Sequence, residues 1–334
     1  VAVFFVSILA IIALLLPTEI LAELHDDRRY PAPGTLIPID TKRRLHVVQH
    51  GRSNSGQPTV ILESGLAATS LSWVFTPPLL SEFAHVVSYD RAGLGRSDPA
   101  GKPPTLATLL ADLDALTQSL PLAPPFILVG HSFGGLLVRA FAHLHPQRVA
   151  GLVLIDPVSL AAYAQPDHHH LRRLTLAVRL SHRGALMARF AIVRTALWLV
   201  AKGNRKLPSF IARISAGKGS SVMDRLAGEI AKLPPETHGP IRAHWSKPAS
   251  FTLMAEYLRL LPDAASQANA MPVPGHIPVI VLSAASATTA ELAERDSWTR
   301  AHPASRHTQI PNTSHWLQLD RPDLVVQAVR ELAL

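Results

Sequence analysis

Gly130-His131-Ser132-Phe133-Gly134 sets a serine between two runs of opposite character. Upstream, Phe126-Ile127-Leu128-Val129 is short, apolar and β-branched behind Pro124 and Pro125, the pattern of a strand buried in a parallel sheet. Downstream, Leu136, Leu137, Ala140, Phe141 and Leu144 recur at helical spacing. A serine on so sharp a strand-to-helix turn holds its hydroxyl clear of the sheet, and Gly130, Gly134 and Gly135 let neighbouring backbone come close. The chemistry expected of Ser132 is nucleophilic attack. A hydroxyl nucleophile needs a base, and neutral imidazole suits because its pKa lies near operating pH. Of 17 histidines, His315 in Asn312-Thr313-Ser314-His315-Trp316 has the right setting. It falls in a loop between a strand-like run, Arg306 to Ile310, and a terminal helix over about 321–332.

The elements that must hold these residues follow one scheme. Strands are predicted near 36–39, 44–50, 59–63, 86–89, 149–155 and 277–283, and an amphipathic helix over 106–120. The first two strands read as antiparallel. The rest alternate with helices, which gives an α/β class with a doubly wound, mostly parallel sheet. Beyond Pro157 the pattern changes: apolar helical patches over 171–180, 185–200 and 210–214 are studded with Arg and Lys. They are broken by Gly203, Pro208, Gly217, Gly219, Pro234 and Pro235. The organisation predicted is a hydrophobic leader or membrane anchor over 1–22, a linker over 23–33, a catalytic core over 34–156 and 275–334, and a basic helical cap over 157–274.

Five segments carry a resemblance. They are Val60-Ile61-Leu62-Glu63-Ser64-Gly65-Leu66, the Ser88-to-Asp98 run with Tyr89-Asp90-Arg91 and Gly93-Leu94-Gly95-Arg96, Gly130 to Gly135, Leu152-Val153-Leu154-Ile155-Asp156, and Ser314-His315. In order and spacing they resemble the α/β-hydrolase fold family, over about 34–156 and 275–334. The motifs are specific for the fold and only weakly so for a substrate. The resemblance implies that fold, a triad in the chain order serine, acid, histidine, and an oxyanion hole made by the backbone N–H groups of Leu66 and Phe133. It implies no cofactor. The Asp90-to-Asp98 turn reads as structural.

The acid departs from the family's pattern. Its common place, just after the seventh strand, is here Ala284-Ala285-Ser286-Ala287-Thr288-Thr289, without a carboxylate. Two alternatives stay open. Asp156 ends the sixth strand, where some relatives, including certain haloalkane dehalogenases, carry their acid. Glu291, with Glu294 and Asp296 beyond it, would have to reach back from a helix. A serine at the nucleophile position disfavours haloalkane and epoxide chemistry, which in this fold use an aspartate there. The implied activity is hydrolysis of a small-molecule carboxylic ester with a lipophilic, small or medium acyl group. The alternatives are amide or peptide hydrolysis of the proline-iminopeptidase type, and a catalytically inactive, membrane-tethered binding protein.

Composition bounds the rest. At 334 residues and 48% hydrophobic, the chain can bury a large core. Cysteine is absent, which excludes disulfides, thiolate nucleophiles and cysteine metal sites. The net charge is +8, and residues 157–272 hold 16 Lys and Arg against 6 Asp and Glu, so all the excess sits in the insertion. That favours an anionic membrane surface or an acidic ligand over nucleic acid, for which no binding module and few stacking aromatics are present. Val1 to Leu16 is apolar but for Ser7 and ends at Pro17. It reads as an anchor or as the core of an export signal cleaved near Ala22, which places the protein at a membrane or in the cell envelope. The 189–198 stretch combines Arg, Phe, Ile and Trp as interfacial helices do. His168-His169-His170 reads as a solvated turn, since adjacent residues diverge and no carboxylate pair accompanies them.

Overall fold

The computed structural model describes residues 19–31 apart from 27, 33–52, 57–201 and 232–333. The leader over 1–18 and the 210–214 patch lie outside these. The described chain forms two compact units, one drawn from residues up to 33 together with 174–256, the other from 34–173 and 257–334.

The larger unit is built on one eight-stranded sheet. Its strands are β1 (Thr35–Pro38), β2 (Arg44–His50), β3 (Thr59–Glu63), β4 (His85–Tyr89), β5 (Phe126–His131), β6 (Val149–Ile155), β7 (Val279–Ser283) and β8 (Arg306–Gln309). They lie in the order β1-β2-β4-β3-β5-β6-β7-β8. β2 runs antiparallel to both β1 and β4, and every other pairing is parallel. Parallel strands are covered on both faces, so β3, β4, β5 and β7 are buried throughout. This is why their sequences are continuous apolar runs.

The helices of this unit begin with α1 (Thr76–Leu80), α2 (Leu106–Ser119), α3 (Phe133–Leu144) and α4 (Leu160–Ala164). α2 starts on a reciprocal cap between Thr105 and Thr108. α3 buries ten of its residues, Phe133 to Ala142, as a helix pressed against the centre of the sheet must. After β3 the chain moves to one side for β4 and then returns to the other for β5. The carboxyl ends of β3 and β5 therefore flank a topological switch point, where open α/β sheets leave a crevice for ligands. Glu63 pairs in register with Gly130, so the loops that follow these two strands start side by side.

Between β6 and β7 lie α5 (His168–Arg189), α6 (Ile192–Ala201), α7 (Pro235–Ser246) and α8 (Pro248–Asn269), all helical as expected. Two details differ from the sequence reading. α5 runs unbroken through Gly184, because a side chain there would come within 2.5 Å of the Phe251 ring; glycine serves close packing. The break falls instead at Ala191, with a φ of 55°. The three histidines lie in the first turn of α5 where a turn outside a helix was expected, with His168 and His169 exposed as that reading had them, and the Asp167 carboxylate accepts from the His170 N–H at 2.7 Å as a cap. In the smaller unit Arg194 joins α6 to the helical stretch 19–26 through Glu19 and Asp26. Among the described residues, no helix is long and apolar enough to cross a membrane. The larger unit closes with α9 (Thr289–Trp298), α10 (Leu317–Asp320) and α11 (Pro322–Ala333).

Candidate active site

Ser132 sits between β5 and α3 with φ 53° and ψ −117°, a strained backbone that most residues avoid. The strain is held from both sides. The Ser132 N–H donates to the Ile155 carbonyl on β6 at 2.9 Å, and the Ser132 carbonyl accepts from Gly135 at 3.0 Å. A glycine is obligatory at 134: a Cβ there would lie 2.3 Å from the Glu63 carbonyl oxygen and 2.7 Å from that of Ser64. That close approach lets α3 begin directly beneath the end of β3. The loop after β3 also lies against the serine, since a Cβ on Gly65 would be 3.5 Å from the Ser132 Cβ.

His315 lies in the loop after β8, and its Nδ1 is 2.6 Å from Asp156 Oδ2. Asp156 follows β6 with a φ of 38°, and its N–H donates to the Leu282 carbonyl on β7. Its other carboxylate oxygen accepts from the Ala284 N–H at 3.1 Å and from Arg295 Nη1 at 2.9 Å. Burial pushes the Asp156 carboxyl up. The hydrogen bond from His315 and its charge when it is protonated, with Arg295 and the Ala284 amide, outweigh it and hold the carboxyl at about 2. Asp156 is therefore an anion that only accepts, so the hydrogen on His315 sits at Nδ1 and the Nε2 lone pair is left open.

His131 braces the His315 loop. Its Nε2 donates to the His315 carbonyl at 2.8 Å, and its ring lies 4.8 Å from the His315 ring and 5.3 Å from that of Trp316. Burial, with His315 beside it, pushes the His131 imidazole down to about 3, so it is neutral. Its Nδ1 has no partner among the described residues.

On the β3 side Arg91 is buried and packed around the Ser64–Leu66 loop. Its Nη1 donates to Glu63 and, at 2.7 Å, to the Ser64 carbonyl; its Nη2 donates to the Gly65 carbonyl. Its Nε donates to the Tyr257 hydroxyl at 3.1 Å, and the guanidinium lies 5.6 Å from the Phe133 ring centroid. Tyr89 donates to the same Glu63 carboxylate.

The structure thus brings Asp156 to His315 and the Gly65–Leu66 loop to Ser132. It does not bring Glu291 to His315: the Glu291 carboxylate accepts from the Thr288 N–H and hydroxyl, capping α9. Glu294 accepts from the Ala161 N–H, and Asp296 pairs with His307 at 2.7 Å. The sequence reading did not single out His131, Arg91 or Arg295. The first two sit inside the quoted motifs. Arg295 carries no sequence signal, because nothing local distinguishes it from a solvated arginine on an amphipathic helix. Among the described residues no group of three His, Asp or Glu side chains is placed to hold a metal ion.

Residues 58–322 match the alpha/beta hydrolase fold family. A putative carbamate hydrolase, RutD, of Agrobacterium fabrum is 30% identical over 147 residues, which are 43% of this chain and 53% of that protein. An AB hydrolase superfamily protein of Gibberella zeae is 38% identical over 109 residues, 31% of this chain and 34% of that one. The chain thus spans from a third to about half of these curated relatives. A thermophilic esterase from Thermogutta terrifontis, bound to malate, superposes with a TM-score of 0.60 at 23% identity, covering 90% of this chain and 97% of its own. With Ser132 on its strained turn at the switch point and a match over most of its length, the chain belongs to the alpha/beta hydrolase fold family.

Proposed function

We propose that the protein is a serine hydrolase that cleaves a carboxylic ester through an acyl-enzyme on Ser132, with His315 as base and Asp156 as the triad acid. The observation that carries the reading is the 2.6 Å bond between the ionised Asp156 carboxylate and His315 Nδ1, in a loop that His131, the residue before Ser132, also holds. With Nδ1 so engaged, His315 Nε2 takes the Ser132 proton as Oγ attacks the ester carbonyl carbon. The negative charge that develops on the carbonyl oxygen is met by the N–H groups of Leu66 and Phe133. Collapse expels the alcohol, which leaves with the proton from His315. Water then attacks the acyl carbon, gives a proton to His315, and frees the acid as Ser132 regains its hydrogen.

An esterase and an enol-lactonase among the structural neighbours are in line with the ester reading, and a carbamate hydrolase among the curated relatives is in line with the amide alternative. The lipophilic, small or medium acyl group is inferred only from the apolar stretches in the sequence of the insertion and the leader. The test is labelling by a fluorophosphonate probe together with ester turnover, both lost in a folded Ser132→Ala variant. Full turnover by that variant refutes the mechanism. Intact protein that labels nowhere and turns over no ester supports the binding-protein alternative.

We also propose that the protein works against an anionic membrane. Support comes from exposed Ile20, Leu21, Leu24, Leu176, Leu186 and Trp198, set among the arginines of the smaller unit. Sedimentation with phosphatidylglycerol vesicles but not with phosphatidylcholine vesicles tests this; equal recovery with both refutes it.

A further inference from the structure

Arg91 belongs to a turn that reads as scaffolding, yet its donors converge on the loop next to Ser132. Its side chain is 3% exposed, and its counter-charge, Glu63, is the last residue of β3. Two of its bonds go to consecutive backbone carbonyls, those of Ser64 and Gly65. The second matters for catalysis because the Gly65 carbonyl and the Leu66 N–H belong to one peptide group. That peptide is trans, so its C=O and N–H point in opposite directions in one rigid plane. A guanidinium fixed on the carbonyl side therefore aims the N–H away from itself. The Gly65 carbonyl also accepts from the Ala68 N–H at 3.2 Å, so the plane is held at two points while Ala67 takes a φ of 50°. Drawing electron density toward the carbonyl oxygen makes the N–H across the peptide a stronger donor. The same guanidinium rests against the ring of Phe133, which Tyr257 meets edge-on at 5.5 Å. Arg91 thus touches both residues whose amides form the proposed oxyanion hole, one through its peptide and the other through its side chain.

We propose that Arg91 is a positioning residue for the oxyanion hole, aiming and polarising the Leu66 N–H and bracing Phe133. This rests on the reading of Ser132 as the acylated nucleophile. A role confined to holding the core together predicts something different. It would lower the number of active molecules or the melting temperature and leave each correctly folded site as fast as before.

The experiment is steady-state ester hydrolysis by Arg91→Lys, with active sites counted by exhaustive fluorophosphonate titration. Lysine keeps a charge opposite Glu63 but cannot span both carbonyls. The expected result is a fall of about tenfold to a hundredfold in kcat per titrated site with KM changed by less than about threefold, since one oxyanion donor is worth about 10²–10³. Affinity for a trifluoromethyl ketone, whose adduct carries a tetrahedral oxyanion, should weaken by the same factor as kcat. Unchanged kcat per titrated site and unchanged ketone affinity overturn the proposal. If Arg91→Lys does not fold, Arg91→Met with Glu63→Gln removes both charges together and carries the same two readouts. Wild-type protein that labels at Ser132 beside a variant of undiminished kcat defeats the role of Arg91 alone. Wild-type protein that does not label defeats the nucleophile reading, and this proposal with it.

Discussion

His131 makes the fold acid-labile through a single side chain, and the size of the effect follows from its burial. In the unfolded chain an imidazole takes up its proton below about pH 6.5. In the folded protein His131 resists protonation down to about 3, because it is buried and lies against His315. Between those values the unfolded state binds more protons, so stability falls as the pH falls. The contribution is complete above about pH 6.5 and is lost progressively below it, at about 1.4 kcal/mol per pH unit. From about pH 7 to about pH 4.5 the loss from this one group is about 2.5 kcal/mol. Asp156 titrates at about 2 in the folded state and acts chiefly below that window. Replacing His131 by glutamine keeps an N–H able to reach the His315 carbonyl but removes the titration. Urea unfolding followed by tryptophan fluorescence, to which buried Trp73 contributes, should show the stability difference between wild type and His131→Gln changing by about 2.5 kcal/mol across that pH range. Parallel pH profiles for the two proteins would show that His131 is protonated in the fold, and would refute the reasoning.

Asp156→Asn leaves Ser132 and His315 in place but removes the anion that fixes the His315 tautomer, so kcat should fall by at least about a hundredfold with little change in KM. Steady-state kinetics with soluble esters measures this, and a nearly silent folded variant would contradict it. Glu291→Gln, which weakens only the cap of α9, should cost about 1 kcal/mol or less in thermal stability and leave kcat unchanged. A crippled kcat there would return Glu291 to the role of acid. Gly134→Ala drives a methyl group into the Glu63 and Ser64 carbonyls, and should cost about 1–3 kcal/mol in chemical denaturation while lowering kcat through displacement of the oxyanion loop. Wild-type kcat and stability in that variant would mean that α3 and β3 are not packed as described.

The sheet and its elbow were legible because both are local. β3, β5 and β6 are apolar runs whose burial on two faces leaves no alternation to decode, and Ser132 is bracketed by glycines that only close backbone contact explains. The place of His315 in the loop between β8 and the last helices was legible from the strand-like and helical runs on either side of it. What stayed hidden was pairing at long range. Asp156 and Arg295 are 139 residues apart, and Arg91 and Tyr257 are 166 apart; nothing in either local pattern marks one residue as the partner of the other. The helix over 168–189 was misread for the complementary reason. The expected patches 171–180 and 185–200 are divided differently, at Ala191, and Phe251, from a helix 67 residues further on, occupies the space that the missing side chain of Gly184 leaves.

The missing carboxylate after β7 has its physical counterpart in the same loop. The Ala284 N–H points at Asp156 Oδ1, so the place where relatives carry an acid here supplies a donor to an acid arriving from β6. Arg295 completes that environment from α9: its Nη1 bridges Asp156 and the Ser283 hydroxyl, and its Nη2 donates to the Pro157 carbonyl. The Ser283 oxygen is in turn 2.7 Å from His307 Nε2, and His307 Nδ1 faces Asp296, so the chain of polar contacts runs from Asp156 to an exposed carboxylate. A second carboxylate at position 284 would set two like charges around one imidazole and one guanidinium, and such pairing raises the pKa of one of the two. One acid, held by an amide, a guanidinium and His315, is instead kept below the usual carboxylate range, at about 2, and is ionised at neutral pH. That is the state that the proposed mechanism requires of Asp156, with the His315 hydrogen on Nδ1 and the Nε2 lone pair available for the Ser132 proton.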